Sequence, residues 1–258
     1  MARRDQRGGG GIAVLNGSGQ FGRVRLVAET GSTNADLRAL AVAGWPEGQW
    51  LRAERQTAGR GRLGRDWQSL AGNLHASTLI RLRPGDPPVT GLGLLLGVAV
   101  HAALSSLLPH AALLLKWPND VMVGRAKLAG MLLEREGEAV VAGIGVNVAF
   151  APPLPDRETI ALADLPGGTA LDAGAVLDAL VESLDRWLAR WRAAGNGAIL
   201  SAWLARAHPV GTPLAVSTGA DRPQRGRFLR LGSDGALILG LDDGTQITIH
   251  SGDVGMLP

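Results

Sequence analysis

Three residue types are absent or scarce in this chain of 258 residues. Cysteine is absent, which excludes disulfides, thiol catalysis, iron–sulfur clusters and zinc–thiolate sites. Tyrosine is also absent, and aromatic residues make up only 4% of the sequence. Lysine occurs only at Lys116 and Lys127, against 24 arginines. Two lysines only eleven residues apart, in a chain that otherwise uses arginine, indicate a place that needs a compact ammonium group, although chance retention is the alternative.

Neither sign of charge dominates the composition. The formal net charge is +3, which gives little support to a nucleic-acid-binding protein. The five histidines show no close ligand spacing, so we do not expect a metal site built from histidine. Hydrophobic residues make up 46% of the chain and charged residues 19%, which is typical of a globular protein with a packed core.

Changes in composition and hydrophobic pattern along the sequence predict three parts. Residues 1–22 contain the glycine runs GGGG and GSG and no apolar segment long enough for a signal peptide. We expect a flexible tail there, too short for a winged helix-turn-helix. Residues 23–210 have the patterns of a mixed α/β domain. Residues 211–258 consist of short alternating runs separated by Gly, Asp and Ser, which predict a small β-barrel.

Within the second part, hydrophobic periodicity predicts alternating strands and helices. Strands are expected from Val24, over 50–56, 74–82 and 113–116, and around 127–134 and 139–148. A helix is expected to begin near Ser32, with two more over 175–194 and 198–207. Residues 87–115 carry no formal charge, so a membrane span must be considered. Interruption by three glycines and by Pro109 favours a buried helix followed by a buried strand instead.

One segment combines glycine and arginine: residues 56–67, QTAGRGRLGRDW. The glycines permit tight bends, and the three loop arginines provide guanidinium groups for a carboxylate or a phosphate. Such a loop could close over an anion and exclude water. The alternative is a loop that binds nucleic acid, but the segment contains only one aromatic residue, Trp67, for stacking against bases.

Four further segments carry polar groups next to predicted strand or helix ends. They are GSTN at 31–34, KWPND at 116–120, KLAGML at 127–132 and GIGVNV at 143–148. A lysine and an aspartate in KWPND could neutralise a phosphate or hold Mg²⁺, although an ordinary turn is the alternative. The glycines of GIGVNV permit close approach of a ligand, and Asn147 could contact an amide or a purine edge. The hydroxyls of GSTN could bind a small ligand or merely cap a helix.

The order and spacing of these five segments, followed by a small C-terminal β-domain, resemble the biotin protein ligase family over roughly residues 24–258. The resemblance implies an α/β catalytic domain with a mixed β-sheet, flanked by helices, plus an SH3-like C-terminal barrel. It implies a cytoplasmic enzyme that converts biotin and MgATP to biotinyl-5′-AMP and then transfers the biotinyl group to a lysine of a biotin carboxyl carrier domain. Biotin's own carboxylate would attack the α-phosphate, so the enzyme needs no side-chain nucleophile.

The resemblance also implies roles for individual residues. The implied biotin site consists of Ser32, Thr33, Asn34, Gln56, Arg60, Gly61, Arg62 and Lys127. The implied nucleotide site consists of Arg62, Trp67, Lys116, Asn119 and Asn147. The implied catalytic residues are Lys127, Lys116 and Asp120, and Asp120 is also the candidate metal ligand.

The sequence departs from the family pattern at two places. Residues 1–22 are too short for the DNA-binding domain that some members carry, so we expect no repressor function and no DNA partner. Because residues 87–115 favour a buried helix and a buried strand, we also expect no membrane partner. No Arg or Lys follows Arg230, so the C-terminal domain lacks a basic residue that in some members lies near ATP. Two other functions stay open, a lipoate–protein ligase and a non-enzymatic nucleic-acid-binding protein. A homodimer is compatible with the sequence.

Overall fold

The computed structural model describes residues 23–219 and 223–257. The sequence prediction of a flexible tail over residues 1–22, and with it the argument about a DNA-binding domain, lies outside the described residues. The helices are α1 (Thr33–Val42), α2 (Leu92–Leu107) and α3 (Ala173–Leu204). The strands of the first sheet are β1 (Val24–Thr30), β2 (Trp50–Gln56), β3 (Leu74–Arg81), β4 (Leu113–Lys116), β5 (Asp120–Val123), β6 (Ala126–Glu136) and β7 (Ala139–Val146). Those of the second are β8 (Pro213–Ser217), β9 (Gln224–Leu231), β10 (Leu237–Gly240), β11 (Gln246–Ile249) and β12 (Asp253–Met256).

The first sheet has seven strands in the order β1-β2-β3-β7-β6-β5-β4. Strands β1 and β2 run parallel and are joined through α1, whereas all other neighbours are antiparallel. The predicted mixed-sheet α/β fold is therefore confirmed.

Two hydrophobic layers cover opposite faces of this sheet. Side chains alternate along a strand, so adjacent residues face opposite sides. Leu51 and Val141 pack with Leu37 of α1 in a small cluster. Trp50 and Val140, one position earlier on the same strands, belong to the large core cluster that contains α2 and α3. Helix α1 therefore covers one face of the sheet, and α2 and α3 cover the other.

Helix α2 is the apolar segment that raised the question of a membrane span. A window at Val89–Leu107 is long and apolar enough to cross a membrane, yet 61% of it is buried inside the protein. Helix α2 packs against α3 and against the sheet. It is a core helix followed by the buried strand β4, as the sequence predicts.

The second sheet is antiparallel, with strand order β11-β10-β9-β8-β12. No ladder joins β11 to β12 among the described residues. The small C-terminal β-structure agrees with the sequence, whereas the SH3-like barrel and the domain boundary at residue 210 stay predictions. One buried cluster includes residues of both sheets, such as Leu115 and Phe228, so the two sheets share a core.

Three elements differ from the sequence prediction. Strand β5 is not predicted by the sequence; it begins at Asp120, the last residue of KWPND, which pairs with Lys116 of β4. Strand β12 was also not predicted. The two helices expected over 175–194 and 198–207 form the single element α3, interrupted at Gly195, whose φ of +73° is the left-handed conformation that glycine tolerates.

Candidate active site

A cavity of about 380 Å³ opens on the face of the sheet that α1 covers only in part. Most of its wall is formed by the β1–α1 turn, by strands β5, β6 and β7, and by the loop after β2 (residues 57–67), which we call the Gly/Arg loop. The cavity is lined by the predicted site residues Ser32, Thr33, Asn34, Gln56, Arg60, Gly61, Arg62, Trp67, Asn119, Asp120, Lys127 and Asn147. Segments more than a hundred residues apart in the chain therefore meet at one place.

Uncharged polar side chains are interlocked at one end of the cavity, which we call the amide end (Thr33, Asn34, Gln56 and Ser77). Gln56 Oε1 accepts hydrogen bonds from the backbone N–H and the hydroxyl of Thr33, at 2.9 and 3.1 Å. Ser77 Oγ lies 2.7 Å from both Thr33 Oγ1 and Asn34 Oδ1. These bonds fix the rotamers of the lining groups before any ligand enters.

The turn GSTN serves both functions that its sequence allows. The Ser32 side chain accepts from Ala35 N at the N-terminus of α1, which is the capping role. Thr33 and Asn34 do not cap the helix but face the cavity. Asn34 also donates to Glu134 Oε2 at 2.7 Å, and a Cβ at Gly143 would lie 2.2 Å from its Oδ1. Glycine at position 143 is therefore required for the position of Asn34.

Charged groups are concentrated at the other end of the cavity, which we call the charged end (Lys116, Asp120, Lys127 and the arginines of the Gly/Arg loop). The Asp120 carboxylate is buried, with Oδ1 2.7 Å from Lys127 Nζ and Oδ2 3.1 Å from Lys116 Nζ. Burial acts to raise the pKa of Asp120, but the charges of Lys127 and Lys116 outweigh it, and the pKa is lowered. Asp120 is therefore ionised and holds both lysines of the chain.

The two lysines occupy different positions relative to the cavity. Lys127 lines it, and a Cβ at Gly130 would lie 2.9 Å from Lys127 Nζ, so glycine gives the ammonium group its space. Lys116 is not among the lining residues and lies behind Asp120, where it donates to Val254 O at 3.0 Å. Lys116 is thus the one predicted site residue that reaches the cavity only through a neighbour.

The indole of Trp67 lies against the glycines of strands β6 and β7. A Cβ at Gly145 would lie 2.3 Å from the Trp67 ring, and one at Gly130 would lie 3.2 Å from it. Trp67 Nε1 donates to His75 Nδ1 at 3.2 Å, while His75 Nε2 lies 3.2 Å from Leu70 O. Burial lowers the pKa of His75, which keeps its ring neutral and Nδ1 free to accept. Trp67 is therefore held in one orientation.

Asn147 directly follows strand β7 and has an unused acceptor. Its amide nitrogen donates to Lys127 O at 3.3 Å and to Ile160 O at 3.1 Å. Its Oδ1 is buried and has no hydrogen-bond partner among the described residues. A buried acceptor without a partner is costly unless a ligand satisfies it. Asn147 therefore offers an acceptor to a donor group in the cavity.

The Gly/Arg loop crosses the charged end as a short 3-10 turn at Arg62–Gly64. Arg62 donates to Asn119 Oδ1 at 3.4 Å and to Gly252 O at 3.2 Å. Leu63 has a φ of +57° and is 69% exposed, which is unusual for a leucine. Arg60 lies on the cavity wall, and its backbone forms an isolated antiparallel β-bridge with the backbone of Asp66. The loop thus places cations over the cavity, as the sequence predicts.

Sequence reasoning missed two segments of the cavity wall. Residues 152–159 contribute Arg157 and Thr159, and the start of β12 contributes Gly252 and Asp253. Neither segment contains a recognisable motif. Each reaches the cavity through tertiary packing, which the local sequence does not reveal. The backbone bridge between Lys127 and Thr159 holds the first segment in place.

The donor groups at the charged end do not fit a resident metal ion. Both oxygens of Asp120 face ammonium groups, and Asp253 is paired with Arg65. Among the described residues, no group of three or more His, Asp or Glu side chains could hold a metal. The sequence-based suggestion that Asp120 is a metal ligand is therefore not favoured by its surroundings.

The α/β fold thus encloses a cavity that has basic side chains and an arginine-bearing loop at one end and uncharged hydrogen-bonding side chains at the other. Comparisons with known proteins agree on the class. Residues 27–150 match the model of the biotin/lipoate A/B protein ligase family. The chain is 38% identical over 232 residues to the biotin--[acetyl-CoA-carboxylase] ligase of Paracoccus denitrificans, covering 86% of this chain and 96% of that protein.

Two further comparisons extend the match. The chain is 36% identical over 244 residues to the protein of the same name from Mycobacterium tuberculosis, covering 92% of this chain and 90% of that protein. The biotin protein ligase of Aquifex aeolicus, solved in complex with biotin and ATP, is similar with a TM-score of 0.78 and 25% identity, over 92% of this chain and 100% of that chain. The chain belongs to the biotin protein ligase family, as its motifs indicate.

Proposed function

We propose that the chain is an ATP-dependent biotin–[biotin carboxyl carrier protein] ligase. The observation that carries the proposal is the cavity itself, which joins a prearranged amide end to a charged end where Lys127 and the loop arginines meet. Such a cavity suits a ligand with an uncharged hydrogen-bonding ring at one end and an anionic carboxylate at the other. Biotin has this character, and ATP supplies the second anion.

Biotin occupies the amide end in this proposal. Its ureido ring both donates and accepts hydrogen bonds, so Ser32, Thr33, Asn34 and Gln56 are its assigned partners. The existing hydrogen bonds among these groups support the assignment, because a prearranged polar site rejects ligands that leave its groups unpaired. The biotin carboxylate then points toward Lys127, and Arg60, Gly61 and Arg62 form the wall above it.

In the first step, a carboxylate oxygen of biotin attacks the α-phosphorus of ATP and pyrophosphate leaves. Negative charge on the α-phosphate oxygens is stabilised by Lys127 and Arg62, which are held in place by Asp120 and Asn119. Asp120 is an ionised anchor for both lysines rather than a proton donor. Mg²⁺ bound to the phosphate oxygens of ATP would neutralise part of their charge, and no residue of the chain is assigned to hold it.

The adenine ring is assigned to Trp67 and Asn147. The orientation of Trp67 by His75 supports a stacking role, and the unpartnered Oδ1 of Asn147 supports a hydrogen bond from the adenine amino group. Lys116 and Asn119 are assigned to the phosphate side, Lys116 acting through Asp120.

In the second step, the neutral amine of a carrier lysine attacks the biotinyl carbonyl. An amide forms, AMP leaves with the bonding electron pair, and the amine loses a proton to the surroundings. A biotin carboxyl carrier domain is the assigned partner, and a cytoplasmic location fits a carrier that belongs to acetyl-CoA carboxylase. Homodimerisation is a further proposal, supported by β1, which lies at the edge of its sheet.

The test is ATP-dependent transfer of biotin to a purified carrier domain, followed by mass spectrometry of the carrier. We expect a mass increase of one biotinyl group and formation of biotinyl-5′-AMP when the carrier is omitted. Lipoate in place of biotin is the matched control, and adenylate formation with lipoate alone would make the chain a lipoate–protein ligase. Tight, steeply salt-dependent binding of DNA without any adenylate would support the nucleic-acid-binding alternative instead.

A further inference from the structure

Three consecutive residues at the start of β12 contact three basic residues of the charged end. Gly252 O accepts from Arg62 Nη1 at 3.2 Å, and Val254 O accepts from Lys116 Nζ at 3.0 Å. Between them, the Asp253 carboxylate accepts two hydrogen bonds from Arg65, with Nη1–Oδ1 at 2.9 Å and Nη2–Oδ2 at 2.7 Å. The C-terminal sheet thus contacts the Gly/Arg loop through the Arg65–Asp253 pair and the carbonyl of Gly252, and it contacts Lys116 of β4 through the carbonyl of Val254.

The backbone position of Asp253 is fixed by its own strand, β12. Strand β12 pairs with β8 from Asp253 to Met256, with Asp253 opposite Ser217. A Cβ at Gly252 would lie 2.9 Å from Ser217 O, so only glycine allows this approach. The carboxylate therefore projects from a paired strand, and its partner Arg65 belongs to a loop.

The geometry of the pair is specific, although its side chains are partly exposed. Both guanidinium nitrogens meet both carboxylate oxygens, an arrangement that fixes direction as well as distance. The side chains of Arg65 and Asp253 are 44% and 36% exposed, so the pair adds little to the stability of the whole fold. Hydrogen bonding to Arg65 lowers the pKa of Asp253, so the carboxylate is ionised. A contact of this kind orients a loop more than it stabilises a protein.

We propose that Asp253 is a positioning residue for the adenylation reaction, which acts by holding Arg65 and thereby fixing the Gly/Arg loop over the cavity. The inference rests on the proposed function, because the loop is assigned to cover the adenylate. Arg65 lies at the end of the loop next to Trp67, so its anchor also limits the movement of that ring. The C-terminal sheet then serves the reaction through an acid, in a chain with no Arg or Lys after Arg230.

The alternative role for Asp253 is a direct contact with the nucleotide or its metal, since Asp253 lines the cavity. A double-mutant cycle separates the two roles. If Asp253 acts through Arg65, then Asp253→Asn has no effect once Arg65→Gln is present. If Asp253 contacts the ligand directly, the two substitutions act independently.

The experiment measures release of biotinyl-5′-AMP from the full-length chain, after formation of the adenylate and a chase with unlabelled biotin. We expect D253N and R65Q each to accelerate release roughly three- to fivefold, and the double variant to release no faster than the more affected single variant. The charge-swapped variant R65D/D253R restores slow release in part. Asp242→Asn, an exposed acid on the same sheet, is the matched control and behaves as the unsubstituted chain does.

A second measurement uses no ligand. Trypsin cleaves after arginine, so the rate of cleavage within 60–65 reports how firmly the loop is held. We expect D253N to be cleaved faster than the unsubstituted chain and D242N to be cleaved at its rate, with unchanged thermal unfolding temperatures for both.

Two outcomes would overturn the inference: adenylate release and loop cleavage in D253N that match the unsubstituted chain, or fully additive effects in the double variant. Failure of the unsubstituted chain to form biotinyl-5′-AMP would overturn the proposed function instead. The cleavage rates would still decide in that case whether Asp253 holds the loop.

Discussion

The amide end and the charged end of the cavity are built on different principles. At the amide end, neutral side chains from α1, β2 and β3 bond to one another, and few of their polar atoms depend on a ligand. At the charged end, one buried carboxylate holds two ammonium groups, and the covering arginines lie on a loop. In the proposed reaction, the first arrangement presents a fixed pattern of hydrogen-bonding groups to the ligand, whereas the second stabilises charge that changes as the reaction proceeds. Substitutions at the two ends should therefore alter different kinetic constants.

The largest expected effect is at Lys127. Lys127→Ala removes the ammonium group that lines the charged end, while Asp120 keeps Lys116. We expect adenylate formation to fall about 10²-fold or more, with KM for biotin changed far less, in a pyrophosphate-exchange assay. Lys127→Arg retains the charge but not the compact shape, so it should restore little activity next to Gly130. If K127A turned over nearly as fast as the unsubstituted chain, Lys127 would have no catalytic role.

Two glycines of β7 offer a matched pair for separating the ends. A methyl group at Gly143 would displace Asn34, and one at Gly145 would displace Trp67. We expect Gly143→Ala to raise KM for biotin about tenfold and Gly145→Ala to raise KM for ATP by a similar factor, each leaving the other constant within about twofold. Steady-state kinetics with one substrate varied at a time measures both. Equal changes in both constants for either variant would contradict the separation.

A smaller effect is expected from Thr33→Val, which removes a hydroxyl of the amide end and keeps the shape of the side chain. Ser77 and Gln56 each lose a partner, and so does biotin in the proposed complex. KM for biotin should rise about five- to tenfold with kcat nearly unchanged, because the contact is the same in the ground and transition states. A fall in kcat with constant KM would instead assign Thr33 to the chemical step.

The smallest effect concerns pH and stability. Burial lowers the pKa of both His75, beside the charged end, and His101, in α2. The unfolded chain therefore takes up protons on these rings more readily than the folded chain does, and the free energy of unfolding should decrease as the pH falls below about 6.5. The slope is at most about 1.4 kcal/mol per pH unit for each histidine. Urea denaturation between pH 7.5 and pH 5.5 measures it, and His75→Phe should reduce the slope; an unchanged slope would exclude His75 as a source.

Local sequence patterns predict most of the first sheet and most of the cavity wall. Strand β2 begins and ends where its periodicity indicates, and α1 begins after Ser32, because both signals are local. Strand β5 is only four residues long and begins two residues after Pro118, so it depends on its partners β4 and β6 rather than on its own pattern. The same holds for β12, which depends on β8.

The charged end shows what a motif does and does not reveal. Lys116 and Asp120 stand four residues apart, a spacing that in a helix would also bring them together, yet here they face each other across a hairpin. The sequence identifies both residues but not that Asp120 would bind Lys127 as well. Arg157 and Asp253 carry no signal at all, because their approach to the cavity depends on how distant segments pack.

The contribution of Gly252 and Asp253 to the cavity wall also has a consequence for biosynthesis. The ribosome adds these two residues long after the amide end at residues 32–56 has been made. A nascent chain that has emerged only as far as β11 therefore still lacks part of the cavity wall. The enclosure around the cavity can close only after β12 has been made and has paired with β8.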